Sequence, residues 1–240
     1  MRASAIVPVK RFGAAKRRLA QVADRDRVRL VEAMLADVVG AITETESVER
    51  VIVVTGEPRA ERLALRHAQR ATTPIEVFRD PADAGHPEAA TLGIVRAMAL
   101  GAECVALLPG DCPLLEPREL DDALSRMRPN RVAVIPDRHG TGTNALLLAP
   151  PDAIGPAFGP GSRERHVDLA GRRGMEVAVE DLPSLALDLD TPGDLAELVA
   201  VLGGEPGRAP ETARALTTLP NVPESVAVRG SEGRSPDEGG

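Results

Sequence analysis

The chain has 240 residues, with 29 Lys+Arg against 36 Asp+Glu and a net charge of −7. It therefore offers no basic surface to a polyanion, and with three Phe and no Trp or Tyr it lacks the stacking platforms of single-strand nucleic-acid binders. No apolar run is long enough to span a membrane or form a signal core, and Cys104 and Cys112 have neither CxxC nor histidine partners; the expectation is one soluble, cytoplasmic core domain with no disulfide framework, soft-ligand metal, nucleic-acid or membrane partner.

Apolar runs alternate with amphipathic stretches from residue 3 to 202, the pattern of a three-layer, mostly parallel α/β sheet covered by helices. The first strand, at about 4 to 9, ends in Pro8-Val9-Lys10 and runs into Arg11-Phe12-Gly13-Ala14-Ala15-Lys16-Arg17-Arg18-Leu19. In open α/β sheets the crevice at a strand's carboxyl end is where ligands bind. Small residues such as Gly13 let backbone approach an anion, although no P-loop pattern is present and a solvated basic turn would read the same way. Lys10 and Lys16 are the only lysines among the 29 basic residues. A compact ammonium is a different tool from a guanidinium.

A helix follows in which Val28, Val31, Leu35, Val38, Val39 and Ile42 form one apolar stripe. Strands are predicted at about 51 to 55, 75 to 78 and 103 to 108. The last delivers Leu107-Leu108-Pro109-Gly110-Asp111-Cys112-Pro113, a carboxylate at a strand end. Such a group suits Mg²⁺, which takes one or two protein carboxylates plus phosphate oxygens, but also suits a plain turn. A helix from Glu116-Pro117 to about Met127 precedes strands at 131 to 135 and 144 to 149, joined through Asp137-Arg138-His139-Gly140-Thr141-Gly142-Thr143-Asn144.

Next, Phe158-Gly159-Pro160-Gly161-Ser162-Arg163-Glu164-Arg165-His166 opens a helix. Ser162 is its expected N-cap, and free amides there, reinforced by Arg163 or Arg165, would make an anion site. Strands at 175 to 179 and 185 to 189 lead to Leu187-Asp188-Leu189-Asp190, where strand alternation puts both carboxylates on one face. Two such carboxylates repel unless a cation lies beside them, which points to the second half of a metal site. Thr191-Pro192-Gly193-Asp194 has the form of a capping box opening the last helix. From 203 onward 12 of 38 residues are Gly or Pro, so 203 to 240 is expected to be a disordered tail behind a single domain at 1 to 202. No nucleophile elbow, Cys-His couple or HExxH occurs. Cationic loop, carboxylates and helix-start anion site describe phosphate-on-phosphate chemistry.

In this order, IVPVKRFGAAKRRL, LLPGDCPLL, DRHGTGTNALLL, FGPGSRERH and LDLDTPGDL resemble the CofC/FbiD family of guanylyltransferases of coenzyme F-420 biosynthesis. The resemblance spans residues 5 to about 200 and implies the nucleotide-diphospho-sugar transferase (GT-A-like, Rossmann-like) fold. It further implies transfer of GMP from GTP to phosphoenolpyruvate or 2-phospho-L-lactate, with pyrophosphate released and the product passed to a downstream 2-phospho-L-lactate transferase. By the same resemblance Thr143, Gly159 and Ser162 contact the three-carbon acceptor. Asp111, Asp188 and Asp190 hold Mg²⁺. Lys10 and Lys16 neutralise the triphosphate beside Gly13 and Arg17, so that Lys10, Lys16 and Asp111 are the catalytic candidates. One departure lies at Asp83-Ala84-Gly85-His86-Pro87-Glu88-Ala89-Ala90-Thr91-Leu92, where Thr91 stands about where the family has an Asn toward the nucleotide.

The chemistry agrees with that assignment. A phosphomonoester, with second pKa about 6, is already mostly an anionic nucleophile at neutral pH and needs little help from a general base. Bringing two polyanions together instead calls for a divalent cation and lysines. The alternatives are a molybdenum-cofactor guanylyltransferase or a sugar-acid or polyol-phosphate cytidylyltransferase of the same fold, a nucleotide-binding regulator without turnover, and an unrelated α/β binding module. An Arg-rich chain leans toward phosphoenolpyruvate over 2-phospho-L-lactate or 3-phosphoglycerate by analogy alone.

Overall fold

The computed structural model describes residues 1–219 except 15, 17–18, 20–21, 81–84 and 206, and only the backbone of Ala14. The Arg17 candidate and the Asp83-Ala84 pair lie outside the described residues, as does the chain after 219.

Among the described residues seven strands form one sheet: β1 (Ala3–Val9), β2 (Val48–Thr55), β3 (Ile75–Arg79), β4 (Cys104–Leu107), β5 (Arg131–Pro136), β6 (Thr143–Ala149) and β7 (Glu176–Val179). Their order is β3-β2-β1-β4-β6-β5-β7. The β1–β2, β1–β4, β2–β3 and β5–β7 pairs are parallel, while β6 runs antiparallel to both β4 and β5. The central strands read as continuous apolar runs because both faces are covered. In β1, Ala3, Ala5 and Val7 face one core and Ile6 faces the other.

The first core is closed by α1 (Asp24–Glu44), α2 (Pro58–Ala68) and α4 (Pro117–Ser125), through Leu30, Met34, Leu63 and Leu120 among others. The predicted stripe of α1 is buried at Val31, Leu35, Val38, Val39 and Ile42 and partly buried at Val28. The opposite core is closed by α3 (His86–Ala99) and α5 (Ser162–Arg172). At Gly93, a Cβ would overlap Ile6 Cγ2 and stand 3.1 Å from Val54 Cγ2, so the missing side chain sets how closely α3 lies on the sheet.

Two expectations are corrected. No strand forms at 185 to 189: α6 (Pro183–Ala186) occupies its start, and 187 to 190 lie outside the sheet. The alternation survives without strand pairing, because Leu187 and Leu189 are buried while Asp188 and Asp190 are only partly so. Nor does order end at 202. The helix α7 (Pro192–Gly204) opens with the expected capping box, and α8 (Pro210–Thr217) packs against α1. Ala209, Ala213 and Leu216 are fully buried, and the Asp37 carboxylate of α1 accepts the Glu211 and Thr212 amides at 3.1 and 2.7 Å. An apolar face only two turns long is diluted by the Gly and Pro around it, which is why composition concealed it.

Candidate active site

The cationic loop leaves β1 under restraint. Thr55 Oγ1 donates to the Val9 carbonyl at 2.9 Å, and the Phe12 amide donates to Glu57 Oε2 at 3.1 Å. Phe12 is buried beneath the turn it begins. Lys16 takes the left-handed conformation (φ 56°), unusual for a residue with a side chain, and directs its ammonium inward. Lys10 remains exposed at the rim. Gly13 is exposed, and a Cβ there would meet nothing within 4 Å, so packing does not demand glycine.

The Lys16 ammonium bridges Asp111, which follows β4, and Asp190, whose Oδ1 is 2.7 Å away. Burial by itself would lower the lysine pKa, but the two carboxylates outweigh it and hold the value above normal. Burial would likewise raise that of Asp111, yet Lys16 pulls it below the ordinary carboxylate value. Asp188 is pushed up, by burial first and then by its neighbours Asp111 and Asp190. One ammonium thus serves three carboxylates.

Among the described residues no three His, Cys, Asp or Glu side chains converge as a ready metal centre. The three expected metal acids therefore share a neighbourhood, not a single point, since Lys16 already stands between Asp111 and Asp190. The donor chemistry still fits Mg²⁺: two carboxylates gathered around a cation suffice when substrate phosphates and water complete the shell.

Two cavities meet at Asp190. One, of about 340 Å³, contains Lys10, Lys16, Asp111 and His86; the other, of about 400 Å³, contains Thr143, Gly159, Ser162, Asp188 and Asn144. The second is shaped by the loop before α5, where Gly159 (φ 113°) and Gly161 (φ 68°) take conformations that favour glycine. Gly161, not Ser162, is the N-cap. Ser162 is the first helical residue and belongs to the cavity wall; its hydroxyl is fully buried and has no partner. Arg165 does not face an anion site. Its guanidinium donates to the Ala157 carbonyl at 2.9 Å and to the Pro160 carbonyl, clasping the loop.

The turn between β5 and β6 is fixed by Asp137, which accepts the Thr141 amide at 3.0 Å. Arg138 pairs with Asp194 and Glu197 on α7. Asp194 in turn accepts the Asp190 and Thr191 amides at 2.8 and 2.6 Å. The GTGT turn and the backbone of Asp190 are thus held by one network.

Two histidines escaped the sequence reading. His86, at the start of α3, faces the first cavity with Nδ1 buried and unpaired. Its pKa is lowered, mainly by burial and further by Lys10, against the pull of Asp111. His166 lies one turn beyond Ser162 and is fully buried. The i, i+4 spacing of Ser162 and His166 was the available signal, since it places two polar groups on the inward face of one helix. Thr91 lies on the exposed side of α3, its hydroxyl donating to the Pro87 carbonyl at 2.8 Å, and among the described residues of this segment it is His86 that reaches the cavity.

Comparison with known proteins agrees with this architecture. The chain is similar to a phosphoenolpyruvate guanylyltransferase of Conexibacter woesei, 44% identical over 90% of this chain and 95% of the relative, and to one of Sphaerobacter thermophilus, 38% identical over 81% and 91%. In fold it resembles a Desulfovibrio desulfuricans protein described as a nucleotide-diphospho-sugar transferase (17% identity, TM-score 0.65, 84% of this chain and 88% of that one). It also resembles 4-diphosphocytidyl-2C-methyl-D-erythritol synthase of Anaerococcus prevotii (12% identity, TM-score 0.61, 84% and 96%). The family model for CofC-like guanylyl transferases matches residues 3–226, and the chain belongs to that family of nucleotidyltransferases.

Proposed function

We propose that the chain transfers a guanylyl group from GTP to the phosphate of phosphoenolpyruvate, within coenzyme F-420 biosynthesis in the cytoplasm. An acceptor phosphate oxygen bonds to the α-phosphorus of GTP, the bond from that phosphorus to the bridging oxygen breaks, and its electron pair leaves with pyrophosphate. The product is enolpyruvyl-2-diphospho-5'-guanosine. The observation that carries this reading is the buried, unpaired Ser162 hydroxyl in a cavity that shares Asp190 with the Lys16–Asp111 cavity. An unpaired buried hydroxyl is costly unless a ligand satisfies it.

In this reading Lys10 and Lys16 offset the charge of the GTP phosphates, while Thr143, Gly159 and Ser162 receive the acceptor. The acceptor phosphate is anionic at neutral pH, so the chain supplies orientation and charge, not proton abstraction. Mg²⁺ is the cofactor called for: Asp111 and Asp190, with Asp188 beside them, would hold it, and it would neutralise phosphate charge.

The test is pyrophosphate release from GTP and Mg²⁺ with phosphoenolpyruvate, 2-phospho-L-lactate or 3-phosphoglycerate supplied separately, the downstream transferase drawing off product. Release with phosphoenolpyruvate, lost in Ser162→Ala at low acceptor concentration, is expected. Release with CTP and a sugar or polyol phosphate instead would reassign the chain to a cytidylyltransferase.

A further inference from the structure

The acceptor cavity of the proposed reaction contains Thr143, whose hydroxyl can either donate or accept. His166 decides which. The backbone amide of Ala157 lies 2.9 Å from His166 Nε2 and can only donate, so Nε2 carries a lone pair and the ring proton of the neutral imidazole sits on Nδ1. Nδ1 is 3.0 Å from Thr143 Oγ1, with both side chains buried. Nδ1–H therefore donates to the threonine oxygen, and the hydroxyl's own proton must point elsewhere. Thr143 lines the cavity also faced by Ser162 and Gly159.

The ring cannot readily turn to reverse this arrangement. Phe158 packs edge-to-face against it at 5.2 Å and against His86 at 4.9 Å. Burial, aided by the Arg165 charge, lowers the imidazole pKa to about 4, which keeps the ring neutral near pH 7.

We propose that His166 is a positioning residue of the acceptor site, which by donating Nδ1–H to Thr143 commits the threonine hydroxyl to donate into the cavity, toward an anionic oxygen of the bound acid. The inference rests on the acceptor reading above. It explains why a histidine is buried with both nitrogens engaged one turn beyond the unpaired Ser162. A hydroxyl held as a donor near the unpaired Ser162 hydroxyl favours an anionic phosphate or carboxylate oxygen over a neutral alcohol or amide, in a cavity whose wall also carries Asp188 and Asp190.

Two substitutions separate this role from simple support of the loop. In His166→Asn the side-chain amide N–H falls near the position of Nδ1 and can still donate to Thr143, but nothing accepts the Ala157 amide. In His166→Gln the side-chain oxygen falls near Nε2 and can accept from Ala157, but the donor to Thr143 is lost. Phosphoenolpyruvate binding is measured by calorimetry without GTP, and steady-state kinetics are measured with both substrates.

For Gln, the acceptor Kd and KM should rise about tenfold, the worth of one hydrogen bond to a charged group. Its kcat and its KM for GTP should be unchanged, and Asn should stay close to wild type. Thr143→Val combined with His166→Gln should be no weaker than Thr143→Val alone. Rescue by Gln and not by Asn, or additive losses in the double variant, would overturn the proposal. Imidazole ¹⁵N spectra of the wild-type protein supply a readout that needs no substitution: a protonated Nδ1 with a pyridine-type Nε2 is expected, and the opposite tautomer refutes the inference. Wild-type protein with the expected tautomer that binds phosphoenolpyruvate but releases no pyrophosphate would instead refute the proposed reaction.

Discussion

Replacing Lys16 by methionine tests whether the ammonium is the cation that holds the carboxylates together. Its side chain is 7% exposed, and Asp190 Oδ1 lies 2.7 Å from Nζ. At an effective dielectric near 20 that contact is worth about 6 kcal/mol before desolvation. Methionine would recover packing and remove the cost of burying a charge, so an isosteric apolar swap is not automatically destabilising. Here, however, Asp111, Asp188 and Asp190 remain, and removing one partner of a buried pair costs about 3–5 kcal/mol. With the Asp190 side chain half exposed, the lower figure applies, and about 3 kcal/mol corresponds to a Tm lower by about 6–12 °C for a chain of this size. Thermal unfolding in chelator should show that loss. Millimolar Mg²⁺ should raise the Tm of Lys16→Met more than that of wild type, because in wild type the ammonium competes for the same carboxylates. Equal Tm values in chelator, or equal increments with Mg²⁺, would refute the reasoning.

Further outcomes follow from other parts of the structure. Ser162→Ala deletes a buried hydroxyl without a protein partner, so its Tm should hold or rise slightly while the KM for phosphoenolpyruvate rises about tenfold; a lower Tm with unchanged KM would make Ser162 a structural residue. Gly93→Ala gains about 1 kcal/mol of helix propensity but overlaps Ile6, and overpacking of about 1–3 kcal/mol should win, giving a net loss by denaturant titration. Leu216→Ala in α8, a fully buried site, should cost about 2–5 kcal/mol; no loss would mean that this helix does not belong to the core. His166 has an ordinary pKa of 6.5, lowered to about 4 in the fold. The unfolded chain takes up a proton that the folded chain refuses, so this contribution is intact above about pH 6.5 and is lost progressively as pH falls toward 4. At about 1.4 kcal/mol for each pH unit separating the states, up to about 3 kcal/mol is at stake, and His166→Asn should remove that part of the acid dependence.

What the sequence made legible follows from how each feature is encoded. Strands buried on both faces print continuous apolar runs, and α1 prints a stripe, so both are readable from local pattern. The direction of β6 is not, because period two is the same for either orientation. Leu187-Asp188-Leu189-Asp190 shows the same limit: its alternation is real, but whether it pairs in the sheet depends on neighbours that the segment does not name. Ser162 looked like a cap because the residue type suits one. Gly161, with its left-handed backbone, took that place and left the serine hydroxyl for the cavity. Arg165 looked like an anion ligand, yet carbonyls of its own loop lie nearer. The bond from His166 to Thr143 crosses 23 residues, and only the folded chain makes it visible.

The two cavities are joined by more than the carboxylate they share. Arg138, from the turn that ends at Thr143, pairs with Asp194, and Asp194 receives the amide of Asp190. The Thr143 side and the Lys16 side are therefore fixed to each other through α7, not through the sheet alone. For an in-line displacement between two polyanions the demanding requirement is relative placement, since a misplacement of about 1 Å can cost about 100-fold in rate. Arg138→Ala should accordingly lower kcat more than it raises either KM, even though its guanidinium is paired with Asp194 and Glu197 of α7. Losses confined to KM for the acceptor would show that the arginine merely shapes the GTGT turn; a kcat loss with both KM values intact would show that the network sets the distance across which the phosphates meet.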